Sequence, residues 1–122
     1  MSDKISQLLD QKYINLETCR KSGKAVCTPV WFVIENDTIY VITTKDTGKV
    51  KRLQNNQNVR IASCGFKGEL KGDWMQGKAR FAEKDETEQA IKLRKKKYGF
   101  QARLVGVLVA RKGTPVVIAI QI

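Results

Sequence analysis

Apolar residues recur along this chain mainly at every second position, the period of a half-buried strand. Between residues 13 and 20, Ile14, Leu16 and Thr18 share one face. Lys21-Ser22-Gly23-Lys24 has turn composition, so this strand pairs as a hairpin with the apolar run over residues 25–34. A second hairpin turn, Glu35-Asn36-Asp37, leads into a strand over Thr38–Thr44. Strands are also predicted over residues 59–66 and 73–81, and a very apolar pair over 104–110 and 116–122, joined by Arg111-Lys112-Gly113-Thr114. Three segments carry helical spacing instead. In residues 2–11, Ile5, Leu8 and Leu9 fall on one stripe behind Ser2 or Asp3 as cap. Asp46-Thr47-Gly48 opens a second helix that ends near Asn55-Asn56. Asp85 or Thr87 caps a third, running to Tyr98 with Ala90, Ile91 and Leu93 inward, its lysines outward, and Gly99 as its stop.

Six or seven strands linked by hairpins predict a mainly β protein, an antiparallel barrel or sandwich with short helices. At 122 residues, without repeats or linkers, the chain reads as one domain over residues 1–122. The strands at 25–34, 104–110 and 116–122 are apolar on both faces, more than a barrel interior needs, which predicts a homodimer interface over part of the outside. No apolar run reaches the length of about 20 residues that spans a bilayer, so no membrane is expected. The polar N-terminus lacks a signal-peptide core, which predicts a cytoplasmic protein.

Charge and residue types narrow the chemistry. The chain has no histidine, which excludes Ser-His and Cys-His nucleophile systems and the usual zinc sites. Cys19, Cys27 and Cys64 form no CxxC pair and read as small apolar strand residues. The net charge is +11, and the stretch from Gln89 to the end holds eight basic residues and no acidic one. Such a field attracts anions: nucleic acid, phosphate groups or a polyanionic cofactor tail. Only 7% of the residues are aromatic, and they do not interleave with the basic run, which counts against a nucleic-acid stacking surface.

The segment Thr43-Thr44-Lys45-Asp46-Thr47-Gly48-Lys49-Val50-Lys51-Arg52 joins a strand end to a helix start and places three cations within four residues. Unpaired N–H groups and the helix dipole favour a phosphate there. It is no P-loop, because the motif's first glycine is missing and Val50 stands where Ser or Thr is required. In Thr28-Pro29-Val30-Trp31-Phe32 a proline interrupts a buried run and marks an edge, bulge or opening.

Four spaced blocks, Thr28-Pro29-Val30-Trp31-Phe32, Ile39-Tyr40-Val41-Ile42-Thr43, Thr47-Gly48-Lys49-Val50-Lys51-Arg52-Leu53 and Trp74-Met75-Gln76-Gly77-Lys78-Ala79, resemble the pyridoxamine 5'-phosphate oxidase-like, FMN-binding split-barrel superfamily, in particular its small deazaflavin-dependent branch. The resemblance extends over residues 13–81, with the last helix and strands alike in layout only. It implies a homodimeric split β-barrel holding FMN or the deazaflavin coenzyme factor 420 at the dimer interface, and an oxidoreductase acting on a small-molecule substrate. By position, Lys49 would hold the cofactor phosphate, assisted by Thr43, Thr44, Lys51 and Arg52. Pro29, Val30 and Trp31 would line the ring, and Trp74 and Gln76 would approach from the partner subunit. True vitamin B6 oxidases carry aromatic, Arg and His residues near the C-terminus for their substrate. Residues 115–122 hold none, so pyridoxine phosphate oxidation is not expected. Hydride transfer at such a ring needs orientation and electrostatics more than an acid–base pair, so the missing histidine is no obstacle. The run Lys92-Leu93-Arg94-Lys95-Lys96-Lys97 is either a solvated helix face or an attractor for a polyglutamate tail. Two other readings stand beside the enzyme: a cofactor carrier or store without turnover, and a basic nucleic-acid-binding module.

Overall fold

A computed structural model of the chain describes residues 3–98 and 114–122. The elements run α1 (Asp3–Ser6), β1 (Tyr13–Cys19), β2 (Ala25–Val30), β3 (Val33–Glu35), β4 (Thr38–Thr44), α2 (Gly48–Asn55), β5 (Asn58–Cys64), β6 (Met75–Phe81), α3 (Lys84–Tyr98) and β7 (Pro115–Gln121). Among the described residues, seven strands form one antiparallel sheet in the order β2-β1-β5-β6-β7-β4-β3.

That order curls the sheet. β2 and β3 are its opposite edges, yet only Trp31 and Phe32 separate them in sequence. Three Cα steps reach at most about 11 Å, so the two edges must come together. The result is a barrel left open along the seam between them, a split β-barrel.

Two local turns set this register. Asn36 and Asp37 both have positive φ, 51° and 62°, between the paired residues Glu35 and Thr38. Positive φ at both central positions is the type I′ turn, whose twist matches a two-residue hairpin. A β-branched residue at such a position clashes with its own backbone. Asn36→Val is expected to cost about 1–2 kcal/mol, read as a lower urea midpoint at unchanged slope. In the first hairpin Gly23 takes φ 91°, and its N–H donates to the Arg20 carbonyl at 2.8 Å.

Alternation then divides the side chains between two cores. Ile14, Leu16, Phe32, Ile39, Val41, Ile61, Ile118 and Ile120 fill the barrel, joined by Leu53 of α2 and Leu8. Tyr40, Val117 and Ala119 point outward, where α3 covers them with Ala90 and Tyr98 beside Val33.

Several boundaries differ from the sequence expectation. Residues 25–34 are two strands, not one, and among the described residues β2 is an exposed edge rather than a buried strand. Its apolar residues read as doubly buried because composition does not report position in a sheet. Pro29 fits there, since an edge strand has N–H groups that need no ladder partner. α1 is one turn only, β5 stops at Cys64, and β6 starts at Met75. The expected strand over 104–110, the turn after it and the stop at Gly99 lie outside the described residues.

α3 begins at Lys84, before either expected cap. Glu86 explains the shift: its Oε1 accepts the Glu83 N–H at 3.2 Å, satisfying the first orphan donor. The same carboxylate takes two 2.7 Å bonds from Arg80 and one of 3.0 Å from the Tyr40 hydroxyl, tying α3 to β6 and β4. The Arg80 hydrogen bonds, followed by the Glu83 N–H, hold the Glu86 carboxyl down at about 2, against an ordinary 4.5. A depressed carboxyl stabilises the fold above its unfolded pKa, and that contribution is lost as pH falls from about 4.5 towards about 2. Glu86→Gln should therefore flatten the acid limb of a stability-versus-pH curve within that window. A variant as acid-sensitive as the parent would place the acid sensitivity elsewhere.

Candidate functional site

β4 ends at Thr43-Thr44, and α2 starts four residues later with Thr47 at its N-cap. Thr47 caps nothing with its side chain. Its hydroxyl accepts from the Thr43 hydroxyl at 3.2 Å and donates to the Thr44 carbonyl at 3.1 Å. The first turn of α2 holds no acidic residue. Val50 and Leu53 pin the helix to the core, leaving Lys49 half-buried on its flank.

Lys49 borders a cavity of about 180 Å³ between the β2–β3 junction, β4 and α3. Val30, Trp31, Phe32 and Val33 come from the junction, Tyr40, Ile42 and Thr43 from β4, and Arg94 from α3. Burial, and then the neighbouring Arg52 guanidinium, push the Lys49 ammonium below the ordinary lysine range. Burial also lowers Arg94, whose Nε is enclosed without a hydrogen-bond partner. No carboxylate lines this cavity among the described residues.

The wall at Trp31 is braced from α3. The indole stacks on Tyr98, with ring centres 4.3 Å apart and planes 8° from parallel. The Tyr98 hydroxyl accepts the Phe32 N–H at 3.0 Å and faces the Lys12 and Phe32 carbonyls at 2.7 and 2.9 Å, donating to one at a time. The Lys97 ammonium donates to the same Phe32 carbonyl at 3.0 Å and lies 3.6 Å above the Phe32 ring. Two consecutive α3 residues thus satisfy the backbone where β2 breaks into β3. The expectation that the lysine side of α3 faces only solvent is corrected here: Arg94 turns into the cavity and the Lys97 head group turns onto Phe32. Lys92, Lys95 and Lys96 stay exposed, and Lys97 keeps much of its surface exposed as well.

Of the residues singled out from sequence, Val30, Trp31, Thr43 and Lys49 meet in this cavity. Thr44 contributes the carbonyl that orients Thr47. Arg52 lies beside Gly48, where a Cβ would meet its Nη1 at 2.6 Å, and its Nε donates to the buried Thr18 hydroxyl. Lys51 points to solvent. Pro29 sits on the exposed edge, nearest the Gly68 loop.

Trp74 and Gln76 are elsewhere on the chain. Gln76 opens onto a wider hollow of about 670 Å³ with Glu17, Arg60 and Lys78, and Trp74 lies 4.8 Å under the Arg60 guanidinium. The strand register aligns Cys27, Glu17, Arg60 and Gln76 across four strands. Arg60 and Glu17 are joined there by two 2.7 Å bonds.

Sequence reasoning missed Arg94 and Tyr98 as site residues. Their spacing from buried Ala90, at i+4 and i+8, was the available signal. Chemically, the cavity offers cations and a hydroxyl at one end and an indole with aliphatic walls at the other. That suits a ligand with an anionic tail and a flat, largely apolar head. Among the described residues, no helix is long and apolar enough to cross a membrane.

No curated protein matches the sequence. Solved structures do match in fold. HutZ, the haem storage protein of Vibrio cholerae, superposes with a TM-score of 0.73 at 16% identity, over 97% of this chain and 87% of that one. A candidate pyridoxamine 5'-phosphate oxidase of Listeria innocua gives 0.69 at 18% identity, over 97% and 90%. A domain-swapped dimer gives 0.64 at 22% identity, over 93% and 82%. The family model for pyridoxamine 5'-phosphate oxidase matches residues 1–122, the whole of the sequence, and the chain belongs to that family.

Proposed function

We propose that this chain holds FMN or a deazaflavin at the interface of a homodimer and uses it as an oxidoreductase on a small-molecule substrate. The observation that carries this reading is the convergence of Lys49, Thr43, Val30 and Trp31 on one cavity with no carboxylate among the described residues to neutralise the cation. An unpaired, partly desolvated cation is costly unless a ligand supplies the counter-charge.

In this reading Lys49 holds the cofactor phosphate, and the Thr43 hydroxyl joins it by turning its proton from Thr47 to the ligand. Val30 and Trp31 lie along the ring, and Trp31 is kept in place by Tyr98. Thr44 fixes the turn into α2, while Lys51 and Arg52 add positive potential around it. When bound, the cofactor supplies the hydride donor or acceptor, and the chain orients it and excludes water.

The cavity bounded by the described residues of one chain is smaller than the 300–1,000 Å³ or so of a complete small-molecule site. It accommodates the phosphate end and one ring edge. A second copy bringing Trp74 and Gln76 would complete it, and the domain-swapped relative supports a paired state. Pro29 would then meet the ligand or partner from the β2 edge. The free thiols Cys19, Cys27 and Cys64 agree with a reducing, cytoplasmic setting.

Storage without turnover is the second reading, favoured by the haem storage protein that shares this fold. Anaerobic mixing separates the two. The loaded protein is reduced with dithionite and mixed with a quinone or dioxygen, and the return of oxidised-cofactor absorbance is followed. Reoxidation faster than for free cofactor supports the enzyme. A rate no faster than free supports storage.

A further inference from the structure

We propose that Arg94 is a second anchor for the ligand's anionic end, and that Lys49 and Arg94 together select a dianionic phosphomonoester over a phosphodiester. The inference rests on the cavity being the cofactor site and goes beyond it, because it names the charge state that the site takes.

The placement of Arg94 follows from helix geometry. Ala90 and Tyr98 are the buried residues of α3, and Arg94 lies four positions from each. Its side chain therefore leaves the helix on the face that packs against the sheet. A long cation there ordinarily reaches outward to water. Arg94 instead lines the cavity, with Nε enclosed and unpartnered. A guanidinium is never deprotonated in a protein, so it cannot shed the cost by losing its charge.

Among the described residues no carboxylate pairs with it. Glu86, one helical stretch earlier, is held by Arg80 on both oxygens. Every acidic residue lies at or before Glu88, so the segment after α3 cannot supply one. Two unpaired cations thus border one small space, from opposite helices. A phosphomonoester carries about −1.5 to −2 at neutral pH, which balances the pair, whereas a diester carries a single charge. The planar fork of Arg94 also suits two oxygens of one phosphate, while Lys49 acts as a point charge.

The test is an equilibrium fluorescence titration with two probes that share a ring: FMN and the methyl phosphodiester of FMN. Wild-type protein should bind FMN at least tenfold more tightly than the methyl ester. Arg94→Gln should weaken FMN at least tenfold and the ester no more than about twofold, collapsing the preference. Arg94→Met, which keeps the apolar stem, should do the same, and Arg94→Lys should restore part of the preference. Melting temperatures of the apo variants should equal or exceed wild type, since a partly desolvated cation is removed. FMN binding that needs Lys49 but keeps its preference over the ester in Arg94→Gln and Arg94→Met overturns the role of Arg94 and leaves the cofactor site standing. Binding of neither probe by wild-type protein overturns the monoester preference, and overturns the cofactor site as well if the deazaflavin coenzyme also fails to bind.

Discussion

Lys49→Ala is expected to abolish cofactor binding in the micromolar range while leaving the apo protein as stable as before, or more so. A charged hydrogen bond to phosphate is worth about 1.5–3 kcal/mol, which is roughly 10- to 150-fold in affinity. The stability half of the prediction comes from the same geometry. Without a ligand the ammonium is partly desolvated and repelled by Arg52, as its lowered pKa reflects. Alanine removes that cost and improves helix propensity on α2. Binding loss with an unchanged or raised Tm is the pattern of a site residue held under strain for its ligand. A fall in Tm with affinity intact would instead make Lys49 part of the scaffold.

Tyr98→Phe is expected to have the largest structural effect of any single-atom deletion near the site. Its hydroxyl serves the Phe32 N–H and the Lys12 and Phe32 carbonyls at the point where the barrel seam opens. Phenylalanine leaves a buried donor unpaired, at a cost of about 1–3 kcal/mol, or roughly 4 °C in Tm per kcal/mol for a chain of this size. The indole of Trp31 keeps its stacking partner, so cofactor affinity should fall less than stability does. Burial also raises the Tyr98 phenol to about 12, above an ordinary 10. A raised folded pKa means stability that is complete below about 10 and is lost as pH rises through about 12. Tyr98→Phe should remove that alkaline limb, and calorimetry across that range reads both effects.

How far the sequence speaks depends on the range of the interactions involved. Alternation in Tyr13–Cys19 is short-range and was legible: Ile14, Leu16 and Thr18 are all fully buried. So was the turn at Asn36-Asp37, because two residues with positive φ demand that composition. The break at Trp31-Phe32 was not. Its polar backbone is satisfied from Tyr98, 66 positions away, and nothing local marks it beyond Pro29. The start of α3 was misplaced because Glu86 reaches back to Glu83, a cap made by a side chain inside the helix.

Arg94 was hidden for a related reason. Within Lys92–Lys97 all the cations look alike, and only the docking of α3 distinguishes Arg94, which lines the cavity, and Lys97, whose head group reaches the Phe32 carbonyl. Lys49, Thr43, Val30 and Trp31, which the resemblance named, line one cavity. The resemblance also pointed to Trp74 and Gln76, which one chain keeps apart from them.

The measurement that bears most directly on this account is a fluorescence titration of the purified wild-type protein with FMN and, separately, with the deazaflavin coenzyme. Saturable binding of one of them, at one per chain and two per dimer, is the predicted result, and it also identifies the cofactor. Binding of neither would contradict the cofactor site, leave only the split barrel standing, and bring nucleic acid or an unrelated anion forward as the ligand of the basic face.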